Sequence, residues 1–411
     1  MSLTTQSRGS APTRRPSALP RLVSVPVDEF ASDHWGRQPL VSLGADLAGG
    51  FEDLFSLEAV DELVSRRGLR TPFVRVAKNG QTLPDSAFTA GGGVGAGIAD
   101  QVSDDKLLRL FADGATIVLQ GLHRTWAPVS DFVAALAEDL GHPVQANAYV
   151  TPRQSQGFND HYDVHDVFVL QVAGEKHWRI RLPVHLWPTR DQPWTAYRER
   201  VGQAAAEPPL LDVTLRAGDC LYLPRGFLHS ATATEEVSAH LTLGVHTWTR
   251  AHLAEALVAE AMHALVDAES ERAPLPLGVD VGNPAGVADE VTRLREVLAG
   301  LVEGIDPDRV AARLGRQARA AARPGPLSPV AQARRALQLG PDDVIRLRGF
   351  VRPEVIDGPD GGAVVQSRAG SLTVTADERP AIETLLAQGE APVSTLGLDL
   401  ARRLLTAGLA L

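Results

Sequence analysis

Two short clusters in the chain hold residues that can do chemistry together. His161 and Asp163 are separated by Tyr162, and His229 follows a Gly-Asp-Cys-Leu-Tyr-Leu-Pro-Arg-Gly stretch that begins at Gly218. An extended backbone sends residues i and i+2 to the same side, so one rigid segment can present the His161 imidazole and the Asp163 carboxylate together. Two imidazoles and one carboxylate make a facial set of ligands that leaves coordination positions open, the arrangement suited to non-haem iron(II). A lone H-x-D arises by chance. Joined to G-x5-P-x-G-x2-H among strand-forming residues, it points to one metal site. Lys176 stands downstream of the first cluster, just past a turn at Ala173 and Gly174; the competing reading is an ordinary surface lysine.

The surrounding elements support this placement. From residue 143 the chain alternates strand-forming runs (PVQANAYVTP, DVFVLQV, KHWRIRL, LDVTLRAGDCLYLP, SAHLTLGVHTW) with Gly/Pro/Asp turns, which predicts a sandwich or jelly roll. Upstream, the spacing predicts helices over 28–41, 52–64, 103–113 with Ser103 as N-cap, and 129–141 closed by Gly141. A hairpin is expected around Asn79 and Gly80. The glycine-rich run at 91–97 lacks the strand and Lys-Ser/Thr of a phosphate cradle and reads as a loop. An excursion over 183–209, with Trp187, Trp194 and Tyr197, is expected to shape the mouth of the barrel. Residues 249–329 read as amphipathic helices, and 330–411 as strand, hairpin and two helices in the manner of a winged helix. Arg309, Arg313, Arg316, Arg319 and Arg323 fall on one helix side and are expected to be a solvated face.

Composition excludes several classes. The 411 residues carry a net charge of −10, which argues against nucleic-acid binding through the overall field and fits a basic partner. The single cysteine, Cys220, excludes an internal disulfide and all-cysteine metal clusters and fits a reducing cytoplasm. No apolar run is long enough to span a membrane. Residues 1–26, rich in Ser, Thr, Arg and Pro at their start, read as a disordered tail.

These motifs carry a resemblance. The paired clusters resemble cupin metal-site motifs, and HYDVHDVFVLQVAGEKHWRI with GDCLYLPRGFLH is similar to the JmjC-type 2-oxoglutarate oxygenases of the ribosomal oxygenase group; HWGRQPL (34–40) and LRTPFVRV (69–76) resemble that group's N-terminal region. The resemblance implies an α+β chain: a double-stranded β-helix catalytic domain over 27–248, a helical dimerisation domain over 249–329 and a winged-helix-like domain over 330–411. It maps the metal ligands onto His161, Asp163 and His229, and the cosubstrate's cation onto Lys176, since a buried distal carboxylate needs a charge partner. It also places Asn147 against the cosubstrate, with Tyr149 on the same strand face a further candidate. The implied cofactors are Fe(II), 2-oxoglutarate and O2. The implied reaction hydroxylates a His or Arg side chain of a ribosomal protein, releasing succinate and CO2, in a cytoplasmic homodimer. Lys176 is similar to the histidine-type members, whereas bacterial arginine-type members carry Arg there. Four tyrosines are too few to favour a methylammonium cage and demethylation. The rival readings are a hydroxylase of a biosynthetic peptide or small molecule, and a metal-binding cupin or docking scaffold without oxygenase activity.

Overall fold

The computed structural model describes residues 17–411 apart from Asn79 and Gly157. They form two compact units that meet in sequence between Thr247 and Trp248. Of the expected tail, residues 1–16 lie outside the described residues, as does Asn79 of the expected hairpin. Residues 17–26 depart from that expectation. Asp139 accepts hydrogen bonds from Ser17 Oγ at 2.8 Å and from the backbone N–H groups of Ala18 and Leu19 at 2.6 and 2.9 Å. Three donors on one carboxylate fix the segment, and Ala18, Leu19, Leu22 and Val23 enter the core. The helix expected over 28–41 is shorter: one turn at Val27–Glu29 continues as a π-type turn at Phe30–His34, and the chain is already a strand by Leu40.

The first unit contains strands β1 (Leu40–Ser42), β2 (Val74–Lys78), β3 (Gln81–Thr82), β4 (Thr116–Leu119), β5 (Val144–Thr151), β6 (Asp166–Ala173), β7 (Glu175–Arg181), β8 (Leu211–Arg216), β9 (Cys220–Leu223), β10 (Leu228–Ala233) and β11 (Ser238–Val245). They form an eight-stranded antiparallel sheet in the order β1-β9-β6-β11-β5-β4-β2-β3 and a three-stranded sheet in the order β8-β7-β10. Helices α1 (Leu57–Arg66), α2 (Asp104–Ala112) and α3 (Ala127–Leu140) have the N-cap and C-cap chemistry their sequences predict: Ser103 Oγ accepts from Lys106 N–H, and Gly141 ends α3 at φ +70°.

The large sheet has opposite polarity on its two faces. Ala146, Ala148 and Val150 of β5, Phe168 and Leu170 of β6, and Leu241 and Leu243 of β11 belong to one core with Leu63 of α1, Leu107 of α2 and Leu136 of α3. The alternate residues therefore turn away from the helices, toward the small sheet. There Val167 and Val169 pack on Trp178 and Ile180, but Tyr149, Thr151, His240 and Thr242 also point this way. An apolar outer face and a partly polar inner face leave room between the sheets for a polar ligand. The chain passes from β6 to β7, one sheet to the other, through Gly174 at φ +60°.

The excursion after β7 holds the short helix α4 (Arg198–Ala205). Tyr162 packs beside Val201 of α4 and Leu228 and donates its hydroxyl to Gln192 O at 2.9 Å, tying this loop to the H-x-D segment.

The second unit begins with α5 (Arg250–Asp267), α6 (Pro284–Glu303) and α7 (Pro307–Ala321). The arginine face of α7 is not simply solvated: Arg309 and Arg313 clamp the buried Glu260 at 3.1 and 3.0 Å, and Arg319 pairs with Glu354. Beyond lie α8 (Pro329–Gln338), β12 (Val344–Arg346), β13 (Glu354–Asp357), β14 (Ala363–Ser367), β15 (Gly370–Val374), α9 (Arg379–Gln388), β16 (Glu390–Pro392) and α10 (Leu398–Thr406). They enclose a separate core around Ile345, Val365, Ile382, Leu385 and Leu404.

Gly174 tests how the site is positioned. A Cβ there would lie 2.2 Å from the Val237 carbonyl oxygen, at a φ that side chains rarely adopt. Gly174→Ala is expected to cost roughly 1–3 kcal/mol in stability. A thermal or denaturant midpoint equal to that of the unsubstituted protein would contradict this.

Candidate metal centre

His161 and His229 face each other across an isolated antiparallel bridge. His161 N–H donates to His229 O at 3.2 Å, and His229 N–H donates to His161 O at 2.8 Å. The H-x-D segment is thus not a regular strand, as the sequence suggests, but a short extended stretch held to β10 at one point. Alternation survives: Tyr162 is buried on the far side, while His161 and Asp163 share the near one. The Pro224-Arg225-Gly226 bend is stitched to the same stretch, since Gly226 N–H donates to Asp163 O at 3.0 Å. Gly226 has φ +91°, and a Cβ there would meet His185 O at 2.5 Å.

The side chains converge. One ligand atom from each of His161, Asp163 and His229 lies within 4.8 Å of the others, and His229 Nε2 is 3.8 Å from Asp163 Oδ2. His161 Nδ1 lies 2.7 Å from Asn159 O, and His229 Nδ1 lies 3.1 Å from Phe227 O. A carbonyl can only accept, so both Nδ1 atoms carry the proton and both Nε2 lone pairs are left for a metal ion. Burial, reinforced by His161, pushes the His229 imidazole down to about 4. Burial alone would raise the Asp163 carboxyl, but His165, His229 and His161 hold it below its ordinary range. The neutral His229 imidazole and ionised Asp163 carboxylate that a divalent ion requires are the states this environment favours.

The triad opens onto a cavity of about 380 Å³ between the sheets. Lys176 lies in its wall, 4% exposed, with its Nζ 3.0 Å from Thr151 Oγ1, which also accepts from Thr116 Oγ1 at 3.1 Å. Lys176 makes no ion pair among the described residues, and burial lowers its amine to about 7. A buried amine that meets one hydroxyl and, among the described residues, no carboxylate is a seat for an anion. Tyr149 stacks on His240 with ring centroids 5.0 Å apart, and burial raises its phenol to about 12, so it remains a donor. Donor set and cavity therefore fit both a divalent metal and a dicarboxylate.

Five of the six sequence-derived site residues line this cavity: His161, Asp163, His229, Lys176 and Tyr149. Asn147 does not. It lies on the face of β5 that carries Tyr149, but its Oδ1 accepts from Gly121 N–H at 3.0 Å. Trp194 of the mouth excursion stands near His161, ring centroids 6.3 Å apart. His165 lies beside Gln145 and His246 outside the triad, and His177 turns away to pair with Asp212. Asp160 binds Arg181 and Ser230, and the fully buried Asp166 accepts from Tyr222 and Arg225. Trp178, which reads from sequence as core, lines the cavity, as do Arg75, Thr116 and Thr242. Sequence reasoning missed these polar residues; only their inward phase on strands that become neighbours could have marked them.

The family model of the JmjC domain matches residues 125–253. The chain is 34% identical over 238 residues to ribosomal oxygenase 1 of Gallus gallus, covering 56% of this chain and 37% of that one. To the Homo sapiens ribosomal oxygenase 1 it is 31% identical over 231 residues, covering 55% and 34%. The chain thus spans about a third of the length of these curated relatives. Among solved structures, Escherichia coli ribosomal oxygenase YcfD superposes with a TM-score of 0.53 over 95% of this chain and 98% of that one, at 16% identity. YcfD has also been solved with cobalt and 2-oxoglutarate. Residues 125–253 accordingly match the JmjC domain, on a chain whose fold is of the JmjC/cupin type seen in the ribosomal oxygenase structures.

Proposed function

We propose that this chain is an Fe(II)- and 2-oxoglutarate-dependent oxygenase that hydroxylates a protein side chain, a histidine of a ribosomal protein. One observation carries the reading: the His161, Asp163 and His229 triad opens onto the same cavity as a buried lysine that has no carboxylate partner among the described residues. A bare metal cupin has no need of that lysine, whose unpaired burial is costly. His161, Asp163 and His229 would hold iron, and Lys176 with Thr151 would take the distal carboxylate of 2-oxoglutarate. The Tyr149 phenol is a further donor to the cosubstrate; Asn147, its oxygen taken by Gly121, has only its Nδ2 to offer.

Iron(II) with 2-oxoglutarate supplies the activation of O2, with succinate and CO2 as the other products. The chain contributes position and protection. The His161–His229 bridge fixes two ligands, Nδ1 hydrogen bonds orient both rings, and Trp178, Phe158 and Trp194 keep water from the reacting carbon. The matched relatives include proteins named ribosomal oxygenase 1 and bifunctional lysine-specific demethylase and histidyl-hydroxylase NO66, and the hydroxylase half of that name supports the substrate class. An acidic chain also suits a basic ribosomal partner.

The same reading extends to assembly. Val258, Met262 and Val266 leave a row of exposed apolar side chains at four-residue steps along α5, which supports a homodimer through the helical segment. The segment 330–411 we read as a winged-helix-like docking domain. No helix among the described residues is long and apolar enough to cross a membrane, and the single, buried cysteine suits a reducing cytoplasm.

Incubation of the protein with Fe(II), 2-oxoglutarate and ribosomal proteins should form succinate and add one oxygen atom to a histidine-containing peptide, read by mass spectrometry. His161→Ala and Asp163→Ala should bring both signals to background. Succinate without any modified ribosomal protein would favour a peptide or small-molecule substrate instead, and no succinate under any condition would defeat the oxygenase reading.

Lys176 yields a second test without turnover. Burial pushes its amine down to about 7, against an ordinary value of 10.5 in the unfolded chain. Between those values the unfolded state binds the extra proton, so this group makes stability rise with pH across that window, while below it the full cost of burying the charge applies. Lys176→Met should be more stable than the parent at neutral pH by several degrees in Tm and should lose that slope. An unchanged slope in denaturant midpoints between neutral and alkaline pH would show that Lys176 is not buried unpaired.

A further inference from the structure

Arg75 is the one charged group of the cavity that the oxygenase chemistry does not use. It lies on β2, half-buried, and its Nε is shielded from solvent with no hydrogen-bond partner. No ion pair to it occurs among the described residues; its guanidinium sits 5.9 Å from the centre of the Phe158 ring, and Phe158 stands 5.9 Å from the His161 ring. The strand register places it in the row Arg75, Val118, Tyr149, His240 that crosses the inner face of the large sheet. Lys176 belongs to a different level, where its amine meets Thr151, which Thr116 in turn hydrogen-bonds.

The charges around it are otherwise matched. A divalent ion and Lys176 together balance Asp163 and a dicarboxylate. Arg75 then adds a positive charge that nothing in the wall neutralises, in a space bounded by Phe158 and Trp194. A guanidinium offers five donors and no acceptor, so what completes it must be an acceptor brought by the substrate. A second cation in the same space would meet like-charge repulsion at low dielectric.

We infer that Arg75 is a specificity-determining residue that donates to the acceptor nitrogen of a neutral imidazole and keeps cationic side chains, arginine and lysine, away from the metal. This assignment rests on the oxygenase reading above, and it deepens that reading by giving the chain's own ground for distinguishing the two substrate classes.

The test uses capped single residues, which need no knowledge of the natural substrate sequence. Nα-acetylhistidine N-methylamide and Nα-acetylarginine N-methylamide are titrated into the full chain loaded with Mn(II) and 2-oxoglutarate, at a pH where the imidazole is neutral, and binding is read from paramagnetic relaxation of the probe's protons. The histidine probe should bind at least about tenfold more tightly than the arginine probe. Arg75→Met should shrink that ratio by about tenfold while leaving the affinity for 2-oxoglutarate within about twofold of the parent, and Arg75→Lys, which keeps the charge, should retain most of the discrimination. A ratio unchanged in Arg75→Met would overturn the inference. So would a loss of 2-oxoglutarate affinity in that variant with the ratio intact, because Arg75 would then serve the cosubstrate. If the Mn(II)-loaded parent binds no 2-oxoglutarate, the oxygenase reading itself fails and this inference falls with it.

Discussion

The site depends on two backbone hydrogen bonds, those that pair His161 with His229. The two residues lie in segments that belong to no common element, and their imidazoles could face any direction without this bridge. With it, both backbones are extended and antiparallel, and each histidine reaches the carbonyl two residues before it, at Asn159 and Phe227. The rings are therefore oriented in the same way by the same local geometry, each with Nε2 toward the common point. The third ligand is held by the adjoining contact, Gly226 N–H to Asp163 O. Three backbone bonds thus position three candidate ligands, and backbone bonds position more rigidly than long side chains can.

The sheet behind this bridge solves a second problem. A cavity able to hold polar ligands must have polar walls, yet a folded chain needs apolar burial. The large sheet separates the two demands by strand alternation: the apolar faces of β5, β6 and β11 support the helices, and the opposite faces carry Tyr149, Thr151 and His240. The consequence is electrostatic cost within the inner layer. Among the described residues Lys176 is buried without a counter-charge, and buried nitrogens of His240 and Trp178 lack partners. The helix-backed core offsets that cost, and ligands that complete these groups relieve it.

Local signals in the sequence carry the ligand set and little of its surroundings. H-x-D and the Pro-Arg-Gly bend are contiguous, so their geometry follows from a few residues, and helix ends at Ser103 and Gly141 follow from single caps. Lys176 is legible because the turn that places it adjoins the strand. Thr116 and Thr151 are not, because their contact needs β4 beside β5, and Arg75 needs β2 beside β4. Asn147 shows the converse: its strand face is readable, yet the Gly121 amide that occupies its oxygen comes from a turn at φ +62° whose approach only the folded chain reveals. At the N-terminus, Ser, Pro and Arg composition conceals the spacing of Leu19 and Leu22, and the anchoring carboxylate, Asp139, is far away in sequence.

How such a cavity tells one side chain from another follows from the same physics. Aromatic walls such as Phe158, Trp178 and Trp194 accept flat groups of several shapes, and a volume of about 380 Å³ exceeds what one side chain fills. Apolar contact alone discriminates weakly between groups of similar size, whereas a polar group left unpaired penalises any ligand that fails to complete it. Lys176 and Arg75 are both unpaired cations, but they sit at different levels of the barrel and face different demands. The first meets the Thr151 hydroxyl, and the second lies against the Phe158 ring, which stands beside His161. Placing two like charges in one cavity is unfavourable unless each meets a separate partner, so the separation of the two levels suits two separate acceptors rather than one.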